Sequence, residues 1–267
     1  MALTITSDYA YWALNDTSGT TPVLDSNVAS FPDMVLDSAT GAWVDPGWLT
    51  ATGTYGGSTG DSTVLKDFMA LDTLTTGMII VAGWVQSPDW EDQTTSDRVM
   101  FGYGSLFNNQ NGFVFRAIAG DLPWVPTQDA AQWQLRIVSA SGDINSSLDL
   151  IGCLDGEGPF FCMIVLRNVG GKIAYDVIVD GYQSAATTVT GLDVWSNSEA
   201  HLANGISILQ RIAGTGGTKN GFLPAGWKVR DFILVRCETD QYMHVNKLAS
   251  DAYRQDGGIP DSWGDYL

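Results

Sequence analysis

The 267 residues carry a formal net charge of −17, with 16% charged and 45% hydrophobic residues. That balance supplies a substantial core and excludes a disordered tail; so negative a field also repels a phosphate backbone, which excludes a nucleic-acid partner. The 30 glycines point to many short strands joined by tight turns rather than to a helical bundle.

In chain order, the aromatic run Tyr11-Trp-Ala-Leu14 leads into a polar turn ending at Gly19, and Val23-Leu-Asp-Ser26 follows. Residues 78–85 (Met-Ile-Ile-Val-Ala-Gly-Trp-Val) are rich in β-branched and aromatic side chains and stop before Ser87-Pro88, which predicts a strand. Further strands are expected at 98–103 and 112–118. At 133–138 Trp133, Leu135 and Ile137 alternate with Gln134 and Arg136, the pattern of a strand with one face on a core and one toward water. A hairpin is expected between Phe160 and Gln183: 160–166 runs into the turn at 168–171 and on to 172–179, and Gly170-Gly171 supplies the positive φ that a tight turn demands. A second turn follows at Asp180-Gly181, and strands are expected at 206–209 and 229–235. Residues 239–253 read as the helix of the chain, capped by Thr239 or Asp240 and ended by Gly257-Gly258. Short strands with glycine-rich turns predict an all-β, two-sheet antiparallel jelly-roll sandwich with one short C-terminal helix. No linker divides the chain, so one domain is expected over 1–254, with a C-terminal tail over 255–267. The expected core includes Trp12, Ile80, Ala82, Trp84, Trp133, Leu135, Val177 and Val179.

The order of these segments resembles the concanavalin A-like, laminin-G-like jelly-roll family. Tyr11-Trp-Ala-Leu-Asn-Asp-Thr-Ser-Gly19 is similar to that family's opening aromatic strand and acidic turn, and Val23-Leu-Asp-Ser26 to its Asp-Ser pair. Ile80-Val-Ala-Gly-Trp-Val85 is similar to its Ile-x-x-Trp-Val strand with one residue more, and Tyr175-Asp-Val-Ile-Val-Asp-Gly181 to its Tyr-x-x-x-Val-Asp-Gly element. Gly226-Trp-Lys-Val-Arg-Asp-Phe-Ile-Leu-Val235 resembles its closing strand, with Arg230 where the family usually carries aspartate. The resemblance spans roughly residues 9–254 and implies a lectin-like sandwich without fixing its function. The chain adds long insertions at 88–97, 119–131 and 191–204, each with a tryptophan: Trp90, Trp124 and Trp195.

The same fold hosts glycoside hydrolases, whose chemistry needs two carboxyl groups flanking the scissile bond. The alternating Glu-Asp-Glu motif of the fold's glucanases is absent, and the four glutamates (Glu91, Glu157, Glu199, Glu238) are dispersed. Asp176 and Asp180 share one side of a strand by period two; the plainer reading is a solvent-facing carboxylate and a turn aspartate. With two histidines, His201 and His244, and no nucleophile motif, no catalytic residue is assigned and the chain is expected not to be an enzyme. Asp89-Trp-Glu-Asp92 could offer oxygens to calcium, but solvated loop acidity is the expectation; no metal and no cofactor are assigned. The three cysteines follow no zinc spacing, and Cys162 and Cys237 sit in apolar runs as small hydrophobes.

Tryptophan in a polar loop offers an apolar face to a sugar ring, which makes Trp90, Trp124 and Trp195 candidate ligand-binding residues; the plainer reading is that such a ring tucks onto the sandwich to anchor its long loop. Trp263 and Tyr266 in the Gly- and Pro-bearing tail are candidate interface anchors. No apolar run approaches the ~18 residues of a membrane span, and the first residues lack the basic flank and apolar stretch of a secretory leader. A lectin-like sandwich, an acidic chain and an odd cysteine count together fit a bacteriophage virion surface protein: a capsid decoration protein, head fibre or tail fibre component made in the host cytoplasm. The expected partners are other virion subunits and surface glycans, with self-association open and no nucleic acid or membrane. A free carbohydrate-binding module is the alternative and a glycoside hydrolase the third reading.

Overall fold

The computed structural model describes residues 8–14, 18–37, 47–86, 98–104, 111–119, 130–154, 159–179, 182–183, 187–196, 205–213, 218–220 and 225–237. The strands in chain order are β1 (Asp8–Trp12), β2 (Leu24–Ser26), β3 (Val35–Leu36), β4 (Leu49–Thr50), β5 (Gly57–Ser58), β6 (Met78–Gln86), β7 (Arg98–Gly104), β8 (Gly112–Ala119) and β9 (Ala130–Ser139). They continue with β10 (Gly142–Leu154), β11 (Phe160–Val169), β12 (Lys172–Val179), β13 (Tyr182–Gln183), β14 (Thr188–Asp193), β15 (Ile206–Ile208), β16 (Arg211–Ala213), β17 (Thr218–Asn220) and β18 (Lys228–Cys237). Among the described residues one helix, α1 (Thr63–Met69), lies between β5 and β6.

Nine strands form one antiparallel sheet in the order β13-β12-β11-β6-β18-β1-β2, with β14 also on β12 and β4 on β18. Seven form the other, β10-β9-β8-β7-β15-β5-β3, and β16 and β17 make a separate ribbon. Neighbours such as β6 and β18, or β7 and β15, come from distant parts of the chain, the long-range pairing of a jelly roll. The chain is therefore an antiparallel two-sheet jelly-roll sandwich, as its sequence predicts.

The β11–β12 hairpin shows how local chemistry sets register. Val169 pairs with Lys172 across Gly170 (φ 62°) and Gly171 (φ 81°), which any side chain would strain. Asn168 braces the turn by accepting from the Gly171 N–H at 2.9 Å, while its amide donates to the carbonyls of Leu71 and Leu74 beyond α1. At the outer edge Lys172 donates to Asp193 at 2.5 Å, which holds that carboxyl below the ordinary carboxylate range. Both groups are exposed, so the pair adds little to stability.

The core between the sheets is aromatic. The ring of Trp133 stacks on Phe115 at 5.3 Å and meets Trp227 edge-on at 6.3 Å; Trp12 packs against Phe31 and Phe232. Trp133, Leu135, Val177 and Val179 join this core as expected. Ile80, Ala82 and Trp84 are also buried, but on the opposite face of the nine-stranded sheet, in a second cluster with Phe161, Met163 and Ile233. β6 is thus apolar on both faces, which is why 78–85 reads as an unbroken hydrophobic run rather than an alternating one.

Two sequence expectations are corrected here. The helix α1 interrupts a stretch expected to hold none; Ser62 caps it by accepting from the Leu65 N–H, and Leu65, Phe68 and Met69 bury its inner side. Asp176, expected to face solvent, is buried and ion-paired to Arg167. The expected helix at 239–253, Asp180-Gly181 and the tail fall outside the described residues.

Candidate functional site

The two sheets differ in what their outer sides offer. On the nine-stranded sheet the central outward positions of β6, β11, β12 and β18 are apolar and buried, beside the Arg167–Asp176 pair and the bulge at Asp231, while Val169 and the Lys172 side chain at the hairpin end are exposed. That bulge opposes Gly83, and Asp231 takes a left-handed backbone (φ 52°) that aspartate tolerates better than most side chains. Its carboxylate accepts from the Tyr11 hydroxyl at 2.6 Å and lies 3.0 Å from Arg230 Nε. Both buried carboxylates of this face are therefore held by structural partners.

The seven-stranded sheet carries a polar outer side. Phe113, Phe115 and Ala117 of β8 and Trp133, Leu135 and Ile137 of β9 point inward, so period two turns Val114, Arg116, Gln134, Arg136 and Val138 outward. The register sets Arg116 directly opposite Gln134 and Arg136 opposite Asn145 of β10. Arg116 donates through Nε to Gln134 Oε1 at 2.7 Å and through Nη2 to Gln134 Oε1 and to Asn145 Oδ1 at 3.3 Å. Arg136 donates to Asp143 Oδ2 at 2.9 Å. The result is a row of two guanidinium groups, two amides and a carboxylate on a rigid sheet. Val99, Val114 and Val138 form a small buried patch beside it. Such a row offers planar donors and acceptors to ligand hydroxyls, and the sheet holds their rotamers.

Of the side chains proposed from sequence, Trp195 is corrected. It is fully buried, its indole N–H donates to the Met69 carbonyl at 2.9 Å, and its own carbonyl accepts from the Leu71 and Asp72 N–H groups. The ring fastens the segment after β14 to the end of α1 and presents no stacking face. Trp90, Trp124, Trp263 and Tyr266 lie outside the described residues. The outward row was half legible, since the alternation at 133–138 already turns Gln134 and Arg136 to one side. Its partners Arg116, Asp143 and Asn145 are set by cross-strand register and carry no local signal. Among the described residues no three His, Cys, Asp or Glu side chains converge as a metal site, and no helix is long and apolar enough to cross a membrane.

No protein-family model and no curated protein matches the chain. Among solved structures it is similar to the carbohydrate-binding module CBM40 of Ruminococcus gnavus IT-sialidase, at 11% identity and a TM-score of 0.44, covering 74% of this chain and 96% of that one. It is also similar to the SAP-like pentraxin of Limulus polyphemus (12% identity, TM-score 0.39, covering 96% and 86%). A third is the CBM2 module of the evolved Dit protein of Lactobacillus casei BL23 phage J-1 (9% identity, TM-score 0.37, covering 88% and 99%). The fold assignment rests on the strand order and register described above.

Proposed function

We propose that this chain is a non-catalytic binding module of a bacteriophage particle surface, a capsid decoration, head-fibre or tail component. It would hold glycan hydroxyls on the outer side of its seven-stranded sheet. The observation that carries the reading is the braced row Arg116–Gln134–Asn145 and Arg136–Asp143, whose guanidinium, amide and carboxylate groups are held in register on one side of the sheet. Catalysis is disfavoured by the placement of Asp176 and Asp231, each buried against a structural partner rather than facing a cleft in a pair. The virion reading is supported by the net charge of −17, which keeps a subunit soluble and draws it to basic patches on a partner. Cys162 and Cys237, buried as thiols, are compatible with assembly in a reducing cytoplasm.

Glycan-array binding by the whole chain should weaken about tenfold or more in Arg116→Ala, since a charge-assisted hydrogen bond contributes ~1.5–3 kcal/mol. Unchanged array binding in a folded Arg116→Ala, Arg136→Ala double variant would remove the sheet from consideration. Reducing-sugar release from a bound glycan should not exceed that of heat-killed protein; release above that level makes the chain a hydrolase. Mass spectrometry of purified particles should find the chain in fixed stoichiometry, and deleting residues 256–267 should lower its uptake. Absence from particles with glycan binding retained selects a free carbohydrate-binding module instead.

A further inference from the structure

Away from the sheet face, the seam where the two sheets' short edge strands meet encloses a narrow cleft. β4 belongs to the nine-stranded sheet, through its pairing with β18, while β3 and β5 edge the seven-stranded one. Leu36, Leu49 and Leu209 give the cleft an apolar interior with room for about one water-sized group, and Thr50, Thr52, Tyr55 and Gly56 complete it. Two features of this lining are unusual. Thr50 is only 8% exposed, yet its hydroxyl Oγ1 is buried with no hydrogen-bond partner among the described residues. A buried hydroxyl costs free energy unless a partner completes it. Tyr55, by contrast, is a large aromatic left 42% exposed. Thr52 adds a half-buried hydroxyl near Thr54 at the rim. Gly56 admits no side chain, since a Cβ there would stand 2.6 Å from Gln210 Cγ and from the Ile208 carbonyl.

An exposed ring, an apolar slot and an orphan hydroxyl on a residue that lines it match an amphipathic ligand of particular shape. We propose that this cleft is a second ligand site, for a neutral hexopyranose. The sugar's apolar face packs on Tyr55, and its exocyclic hydroxymethyl group enters the slot. The methylene then lies against Leu36, Leu49 and Leu209, and the hydroxyl completes Thr50 Oγ1. Thr52 is placed for a ring hydroxyl. No group of the sheet-face row takes part, so this site stands or falls separately from that reading.

The test is a titration of the whole chain, followed through its assigned backbone amides, with the methyl glycosides of glucose, galactose and mannose and with methyl xyloside, which lacks the hydroxymethyl group. At millimolar concentration at least one hexoside should shift the amides of Thr50, Thr52, Tyr55 and Gly56, and the xyloside should bind about tenfold more weakly or not at all. Thr50→Val, which keeps shape but removes the hydroxyl, should lose about tenfold in affinity, and Tyr55→Ala at least as much. Arg116→Ala should leave these shifts intact. Wild-type chain with no hexoside-induced shift at these amides means that the cleft holds water alone and overturns the proposal. So does equal binding of xyloside and hexoside, or loss of the shifts in folded Arg116→Ala.

Discussion

Replacing Trp133 with alanine is expected to cost about 3–5 kcal/mol, the range for deleting a buried tryptophan and leaving a residual cavity. The ring is fully buried, lies parallel to Phe115 with an interplanar angle of 4°, and meets Phe160 and Trp227 edge-on. Its loss therefore strips contact area from both sheets at once. The indole N–H has no hydrogen-bond partner among the described residues, so the side chain serves as apolar volume and its polar atom is a liability. Trp133→Phe should accordingly cost well under half as much as alanine, because it keeps a ring on Phe115 and removes the orphan donor. Urea unfolding measures both: the midpoint should fall steeply for alanine and slightly for phenylalanine, at an unchanged slope. Equal losses in the two variants would mean that the N–H carries an interaction of its own.

What was legible in the sequence is what local chemistry decides. Gly170-Gly171 announces its hairpin because a two-residue turn needs positive φ at both positions. Trp133, Leu135 and Ile137 announce an inward face because one side of β9 is polar. β10 was missed: Gly142-Asp-Ile-Asn-Ser-Ser has little intrinsic strand preference and is drawn into the sheet by pairing with β9. β3, β4 and β5, two residues each, exist only as edges recruited by β15 and β18, so nothing near Tyr55 marked it as part of a cleft. The helix α1 has seven residues, too few to show a hydrophobic stripe. Trp195 was misread for a related reason. A tryptophan among polar residues looks like a surface ring, and only the fold brings the Met69 carbonyl within reach of its N–H.

Removing the Asp176 carboxylate is expected to be as damaging as removing a core aromatic. Its side chain has no solvent exposure and Arg167, its partner, has 15%. Both project from the nine-stranded sheet on the side of Met163, Val165 and Ile178, where water cannot take over the lost interaction. Bringing two charges into such a site costs solvation that their attraction only offsets, so the pair contributes little in itself. Breaking it is different: Asp176→Ala takes from the Arg167 guanidinium the buried carboxylate it is paired with, at an expected cost of about 3–5 kcal/mol. Arg167→Met alone should be similarly costly, whereas Arg167→Met combined with Asp176→Leu should recover most of the loss. A double-mutant cycle in urea would read this as strong coupling between the two sites, and additive losses would show that the residues act independently. The same variants bear on function. Because this carboxylate is enclosed and the proposed glycan row lies on the other sheet, Asp176→Asn should leave glycan-array binding unchanged under conditions where the chain stays folded. A folded Asp176→Asn that loses glycan binding would move the ligand site to the nine-stranded sheet.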